Sequence, residues 1–191
     1  MNQKFHFNKT KIQGLIEITP FNMDDCRGCF TKDYSKDIFE VNGIRHELAE
    51  VFYTTSYKGV IRALHFQHVK QQPKLIRCIY GRVFDVVVDL RKNSPTFQTW
   101  ISFDLSGKKH NEILIPSGCA HGYLVLEDSI VSYKCGEKFY GEYDDGIIWN
   151  DPQLAIDWPV SEVGGIGNVI LSEKDKNLQT CEEFIQTYGG F

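Results

Sequence analysis

The sequence predicts a mainly β domain of antiparallel strands, arranged as a sandwich, a jelly roll or a barrel. Short runs rich in Val, Ile, Phe, Tyr and Thr follow one another at nearly even spacing. The breaks between them are short and contain Gly, Pro, Asn or Ser, and no helical pattern interrupts the series. The predicted strands cover residues 51–55, 60–67, 74–80, 83–90, 99–105, 112–115, 122–126 and 130–135.

Shorter elements flank this series. Residues 15–18 alternate in polarity and are closed by Pro20, which predicts an edge strand. Residues 29–31 predict a second short strand, and residues 34–39 a helical turn. At the other end, Ser172 opens a predicted helix over residues 172–188, which Gly189 and Gly190 end. Its apolar face is formed by Leu178, Cys181, Ile185 and Tyr188.

The composition argues against several classes of function. The chain has 191 residues, a formal net charge of −4 and no run of more than two Lys or Arg residues, which argues against binding to nucleic acid or to a membrane surface. No stretch approaches the length of a transmembrane helix, and the first residues lack the apolar region of a signal peptide. We therefore expect a cytoplasmic protein, in which Cys26-x-x-Cys29 carries reduced thiols.

Charged and titratable residues occur within the predicted strands of residues 59–89. Strict alternation places His65 and Gln67 on one face of their strand and Arg62 on the other, unless a bulge intervenes. Lys74 and Asp85 lie on the next two predicted strands. Burying such groups is costly unless they are paired, so they either line a pocket or form hydrogen bonds within a packed interior.

A metal site is a weaker interpretation of the same region. His65 and His68 are three residues apart on a strand and therefore point to opposite faces. The segment Pro116-x-Gly118-x-x-His121 is similar to the second half of the cupin motif, in which a histidine projects into a small barrel. Metal-binding cupins supply His-x-His in the first half, whereas this chain has His65-x-Gln67. We therefore expect no metal.

Two further residues allow both a structural and a chemical role. Tyr133 lies in the last predicted strand, where a buried tyrosine usually bonds a neighbour but can also donate a proton. Asp175 stands three residues after Ser172, as in a capping box with Asp in place of Glu.

Many stretches of the chain, taken together and in order, resemble the dTDP-4-dehydrorhamnose 3,5-epimerases, cupin-fold isomerases of deoxysugar biosynthesis. The resemblance implies a cupin-type antiparallel β-barrel or jelly roll with a C-terminal helix. The matching stretches are residues 60–67, 74–78, 81–91, 94–97, 115–123, 133–134, 149–152, 156–159 and 171–175.

The resemblance also implies roles for individual residues. His65 is expected to be the general base and Asp175 the partner that orients it. Tyr133 is expected to be the acid that returns a proton on the opposite face, Lys74 the cation that stabilises the enolate oxygen, and Arg62 a phosphate contact. The other expected substrate-binding residues are His121, Arg27, Phe30, Gln67, Asp85, Phe139 and Tyr140.

The chain departs from the family pattern around the expected substrate. Lys32 replaces a carboxylate, and Ala63 replaces a glycine. The segment of residues 50–54 reads Glu-Val-Phe-Tyr-Thr instead of Gln-x-Asn-x-Ser, and the family's Tyr-Tyr after the acid reads Lys-Phe-Tyr over residues 138–140. None of these changes falls on His65 or on the other expected catalytic residues. We therefore expect the proton chemistry to be retained.

The resemblance implies an isomerase that inverts C3 and C5 of a nucleotide-linked 4-keto-6-deoxy sugar, with dTDP-4-dehydro-6-deoxyglucose as the default substrate, in deoxysugar biosynthesis of the lipopolysaccharide or O-antigen type. Alternatives are inversion of one carbon only, a different nucleotide-sugar, and a non-catalytic binder. The chemistry requires no redox cofactor or metal. We expect one domain over residues 1–191 in a homodimer: strands of residues 1–50 crossing to the partner, a barrel over 51–160, and the helix of 172–188.

Overall fold

The protein is described from a computed structural model, which covers residues 4–191. It consists mainly of β-strands with three short α-helices among the described residues. In chain order the elements are β1 (His6–Lys9), β2 (Ile16–Thr19), β3 (Phe21–Asp25), β4 (Gly28–Lys32), α1 (Lys36–Val41), β5 (Glu50–Ser56), β6 (Ile61–Gln67), β7 (Lys74–Asp89), β8 (Trp100–Ser106), β9 (Glu112–Ile115), β10 (Cys119–Cys135), β11 (Asp144–Gly146), α2 (Glu173–Lys176) and α3 (Cys181–Tyr188).

One large sheet contains all the strands except β3 and β4. Its order is β1-β2-β9-β7-β10-β6-β11, with β5 paired to β10 and β8 paired to β7, and every strand pair is antiparallel. Since β7 and β10 are 16 and 17 residues long, each strand pairs with different neighbours along its length. The sheet therefore folds over on itself, and the prediction of an antiparallel, mainly β fold is confirmed.

Two predicted strand breaks are wrong. Residues 80–82 and 127–129 were expected to separate strands, but β7 and β10 run through them without ending. The pairing between β7 and β10 instead shifts register from Val125 to Val131. Gly81 adopts a positive φ of 76° there, and a Cβ at this position would lie 2.1 Å from the carbonyl oxygen of Asp128. Gly81 thus bends the paired strands through a bulge without breaking the ladder.

The predicted C-terminal helix is divided into two. The Ser172 Oγ accepts a hydrogen bond from the backbone N–H of Asp175 and begins α2, which ends at Lys176. Thr180 then begins α3 with a complete capping box to Glu183. Thr180 therefore acts as a second N-cap within the stretch that was predicted to be one helix. Because the backbone of an N-cap residue is not helical, α3 is separated from α2. Gly189, with φ of 70°, ends α3 as predicted.

The buried apolar side chains form three clusters. One lies inside the folded sheet and includes Ile76, Val87 and Tyr133, while a second packs α3 and the segment after β11 against the opposite face. The third packs α1 against β2 and β9. Tyr133 of the first cluster also lines the cavity described below.

Candidate active site

A cavity of about 320 Å³ is formed where several strands of the large sheet meet α2, and Tyr133 of the first cluster contributes to its lining. Residues from β5, β6, β7, β10 and α2 contribute to its wall. It contains all four of the residues expected to be catalytic, which come from four different elements. The lining residues are Phe52, Thr54, Arg62, His65, Phe66, Gln67, Gln72, Lys74, His121, Tyr133, Phe139, Asp144, Ser172, Lys174 and Asp175.

A bulge in β6 brings Arg62 and His65 to the same cavity. His65 pairs with His121 of β10 and Arg62 pairs with Tyr123, so one β10 residue, Gly122, stands opposite two β6 residues. Strict alternation, which would have placed Arg62 and His65 on opposite faces, therefore fails here because of the bulge. A Cβ on Gly122 would lie 2.7 Å from the carbonyl oxygen of Arg62, so the bulged backbone occupies the space of a side chain.

His65 and Asp175 form the pair at the cavity wall. The Nε2 atom of His65 lies 2.9 Å from Oδ1 of Asp175, whose side chain is almost completely buried. The Nδ1 atom of His65 has no hydrogen-bond partner among residues 4–191. Asp175 takes part in both the helix cap of α2 and the pair with His65. Its backbone N–H donates to Ser172 Oγ, while its carboxylate faces His65.

Lys74 supplies a cation without a fixed partner. Its ammonium makes no hydrogen bond or ion pair within the described part of the chain, and the side chain lines the cavity from the start of β7. Burial lowers the pKa of its amine, an effect that Cys135, Asp144 and Asp85 oppose. An ammonium that lacks a partner is available to a developing negative charge on a bound molecule.

His121 and Asp85 form a second, more deeply buried pair. The Nε2 atom of His121 lies 2.8 Å from Oδ2 of Asp85, and their side chains are 4% and 0% exposed. Burial raises the pKa of the Asp85 carboxyl, while His121 and Lys74 act in the opposite direction. His121 reaches the cavity, whereas Asp85 lies behind it and holds the imidazole in place.

Tyr133 presents a protonated phenol to the cavity. Its ring stacks on Phe52, with centroids 4.8 Å apart and planes 11° apart. Burial raises the pKa of the phenol well above its ordinary value, and the neighbouring Tyr123 adds to the effect. Tyr133 therefore keeps its proton at neutral pH and can only lose it to a strongly basic atom such as an enolate carbon.

The other expected substrate-binding residues near the cavity differ in how far their side chains are free to contact a bound molecule. The Nε atom of Arg62 donates to Ser56 Oγ at 3.0 Å, which orients the guanidinium, and Phe139 is half exposed at the cavity mouth. Gln67 is buried, and both ends of its amide bind the backbone of the chain. It donates to Lys70 and Lys138 and accepts from the Tyr140 N–H, so Gln67 holds the loop that carries Phe139 and Tyr140.

Arg27 and Phe30 do not reach the cavity of their own chain. They lie on the hairpin of β3 and β4, a separate two-stranded sheet. The side chain of Arg27 is 84% exposed and pairs with Asp25, and Phe30 is about half exposed. A role at the site therefore requires a second copy of the chain.

Several lining residues were not predicted from the sequence. Lys174 and Asp144 form an ion pair in the cavity lining, and Gln72, another lining residue, donates to the Glu137 carbonyl. Lys174 directly precedes Asp175 within a stretch that matches the family, which was a signal for its position. Gln72 and Asp144 lie in polar segments whose sequence carries no such signal.

The family model for dTDP-4-dehydrorhamnose 3,5-epimerase matches residues 9–183 of this chain. The chain belongs to the dTDP-4-dehydrorhamnose 3,5-epimerase family. A relative of that name from Methanothermobacter thermautotrophicus is 45% identical over 181 residues, which are 94% of this chain and 96% of the relative. The predicted family is thus confirmed, and with it an enzyme of the isomerase class.

Solved structures agree with this family assignment. The dTDP-6-deoxy-D-glucose-3,5-epimerase of Legionella pneumophila, in complex with dTDP-4-keto-L-rhamnose, is 37% identical and superposes with a TM-score of 0.86 over 93% of each chain. The Bacillus anthracis dTDP-4-dehydrorhamnose 3,5-epimerase, with TDP and pyrophosphate bound, is 39% identical, with a TM-score of 0.86 over 93% of this chain and 99% of that one. The cupin-type fold expected for the epimerase family is therefore confirmed.

Across the described range, no three or more His, Cys, Asp or Glu side chains are grouped so as to hold a metal ion. Within residues 4–191 there is also no helix of the length and apolarity needed to cross a membrane.

Proposed function

We propose that the protein inverts C3 and C5 of dTDP-4-dehydro-6-deoxyglucose, as its family membership implies. One observation carries the assignment of roles: the His65–Asp175 pair, the unpaired Lys74 and the phenol of Tyr133 all face a single cavity. Base, electrophile and acid are the three groups that an enolate mechanism needs.

The first step is removal of a proton next to the C4 ketone. The neutral imidazole of His65 takes the proton, the electrons of the C–H bond form a C=C bond, and the carbonyl oxygen becomes an enolate oxygen. Lys74 stabilises the charge on that oxygen because its ammonium has no competing partner within the described residues. Asp175 stabilises the imidazolium that His65 becomes, since the two groups are 2.9 Å apart.

The second step is delivery of a proton to the opposite face of the same carbon. The phenol of Tyr133 gives its proton to the enolate carbon, and the C=O bond forms again. The tyrosinate then recovers a proton from solvent, and the His65 imidazolium releases one to solvent. C3 and C5 both flank the C4 ketone, so one base and one acid serve both carbons in turn. His121, fixed by Asp85, contributes a hydrogen-bonding group at the cavity wall.

The rest of the substrate is assigned to the cavity mouth. Arg62 is suited to the diphosphate because its guanidinium is always charged and is held by Ser56. The half-exposed ring of Phe139 offers a stacking surface for a nucleotide base. The Legionella relative binds dTDP-4-keto-L-rhamnose and the Bacillus relative binds TDP, which supports a dTDP-linked substrate here.

We further propose a homodimer in which Arg27 and Phe30 contribute to the partner's cavity. Exposed apolar side chains on the β3–β4 hairpin and on β5 support this assembly, among them Met23, Val51 and Tyr53. Light scattering should give about twice the 22.0 kDa of one chain, and a mass equal to one chain would refute the dimer. The proposed setting is the cytoplasm, where the product supplies polysaccharides of the lipopolysaccharide or O-antigen type.

The experiment that tests this function is deuterium incorporation. The enzyme is incubated with dTDP-4-dehydro-6-deoxyglucose in D₂O, and C3 and C5 are followed by NMR. Deuterium at both carbons, with inverted product trapped by reduction, is the expected result. Deuterium at one carbon would show a single-carbon epimerase, and exchange only with another nucleotide would change the substrate. Tight nucleotide binding without any exchange would leave only a binding function.

A further inference from the structure

The acid of the proposed reaction is packed against a residue that has no part in the proton transfers above. Phe52 lies on β5 directly opposite Tyr133 of β10 in the strand pairing. The two rings are parallel to within 11° and their centroids are 4.8 Å apart. Phe52 also lines the cavity and is 39% exposed, so its ring borders both Tyr133 and the open space.

The ring of Tyr133 is restrained on several sides. His121 approaches it with ring centroids 6.0 Å apart and planes 73° apart. Tyr123, which is fully buried and whose hydroxyl lies 2.8 Å from Thr54 Oγ1, packs in the same cluster. Phe52 differs from these neighbours because it comes from β5, which pairs with β10 alone. Removal of the Phe52 ring would open space beside Tyr133 without disturbing the fully buried core.

Orientation of Tyr133 decides what happens to the enolate. A proton delivered by Tyr133 reaches the face opposite His65 and inverts the carbon. A proton returned by His65 restores the original configuration. Both outcomes start from the same enolate, so their ratio depends on how well the phenol is placed and not on how tightly the substrate binds. Small displacements of a reacting group cost up to about 100-fold in rate.

We propose that Phe52 is the positioning residue for the acid, and that its stack on Tyr133 sets the ratio of inversion to return of the proton. This inference rests on the proposed function. Phe52 itself transfers no proton. A flat ring at this position keeps Tyr133 in one orientation and excludes water from the phenol, whereas a flexible or small side chain does neither.

The test measures both outcomes in D₂O with dTDP-4-dehydro-6-deoxyglucose. Return of a deuteron by His65, after its imidazolium exchanges with solvent, gives deuterated substrate of unchanged configuration. Delivery by Tyr133 gives deuterated, inverted product. The wild type is compared with Phe52→Leu, which keeps apolar volume without a plane, and with Phe52→Tyr, which keeps the plane. Tyr57→Leu, at an exposed aromatic outside the cavity, is the matched control.

The expected result is a rise of about tenfold in the ratio of retained to inverted deuterated sugar for Phe52→Leu. Phe52→Tyr and Tyr57→Leu should both stay close to the wild-type ratio. Thermal unfolding of each variant shows whether it is folded, and the ratio is read from the folded enzyme.

Two results would overturn the proposal. One is a Phe52→Leu ratio equal to that of the wild type. The other is an equal loss of exchange and inversion, which would mean that Phe52 supports the cavity in general and not Tyr133 in particular. A wild-type enzyme that neither exchanges nor inverts this sugar would refute the proposed function itself. That outcome differs from the two results above, which concern only the variants of Phe52.

Discussion

Glu112 and Arg77 stand directly opposite each other in the pairing of β9 with β7, yet no hydrogen bond joins their side chains. Both carboxylate oxygens of Glu112 are buried without a partner among the described residues. The guanidinium of Arg77 instead reaches Asp33 at 3.4 Å and His110 at 3.1 Å. Burial raises the pKa of Glu112 well above its ordinary value, and the nearby Lys134 only partly offsets this.

This arrangement predicts that Glu112→Gln stabilises the protein at neutral and alkaline pH. The folded state holds the proton of Glu112 more tightly than the unfolded state, so its contribution is complete below the unfolded pKa of about 4.3 and is lost as pH rises through the raised folded value. Glutamine cannot ionise and avoids that loss. The expected gain at pH 8 is about 1 kcal/mol in the free energy of unfolding.

Urea unfolding from pH 4 to pH 8 measures the difference. It should vanish near pH 4 and grow with pH. Glu142→Gln, at an exposed position, should show no such trend. A difference that does not change with pH would mean that folding leaves the pKa of Glu112 unchanged, and would contradict the prediction.

Asp175→Asn should lower kcat by about 10²- to 10⁴-fold, because a neutral amide no longer stabilises the imidazolium of His65. The backbone N–H that bonds Ser172 is unchanged, so α2 should still begin at the same residue. Steady-state kinetics and circular dichroism check the two statements. Asp157→Asn, which removes an exposed carboxylate, should behave as the wild type. Retention of full kcat in Asp175→Asn would remove Asp175 from its assigned role.

Lys74→Met should lower kcat/KM by about 10²- to 10³-fold while the thermal unfolding temperature stays the same or rises. The variant removes the cation that we propose for the enolate oxygen, and it also removes the desolvation cost that lowers the pKa of this buried amine. In the wild type, activity that depends on the ammonium should decline at a lower pH than the ordinary lysine value of about 10.4. Lys108→Met, at an exposed loop position, is the control. Activity within about twofold of wild type would contradict electrostatic stabilisation by Lys74.

Gly122→Ala should destabilise the protein by about 1–3 kcal/mol and reduce activity further than the loss of folded protein explains. A Cβ there would lie 2.7 Å from the Arg62 carbonyl and 2.9 Å from the Leu64 nitrogen, so the bulge that directs Arg62 and His65 must shift. Gly167→Ala, where no atom lies within 4 Å of the added carbon, should be close to neutral. Chemical unfolding and kcat at a temperature where both variants are folded separate the two effects. An active, stable Gly122→Ala enzyme would show that the bulge tolerates a side chain.

Many features of the fold could be predicted from the sequence, because they depend on interactions within a few residues of the chain. Runs of β-branched and aromatic residues marked the strands, because those side chains suit a pleated and half-buried backbone. Ser172 and Gly189 marked the start of α2 and the end of α3, since caps act on backbone groups within one turn. The stretches matching the epimerase family identified His65, Lys74, Tyr133 and Asp175 as a set, and the structure brings all four to one cavity.

The tertiary structure decided everything that depends on strand pairing. His65 and Asp175 are 110 positions apart in the chain, and only the packing of α2 against β6 brings them together. Arg62 shares their cavity because β10 offers one residue opposite two, a bulge that no local pattern in β6 reveals. The stack of Phe52 on Tyr133 and the isolation of Glu112 likewise follow from register. The register of a strand against its neighbours decides which face each side chain points to. That register is selected because it buries the apolar face of the whole sheet.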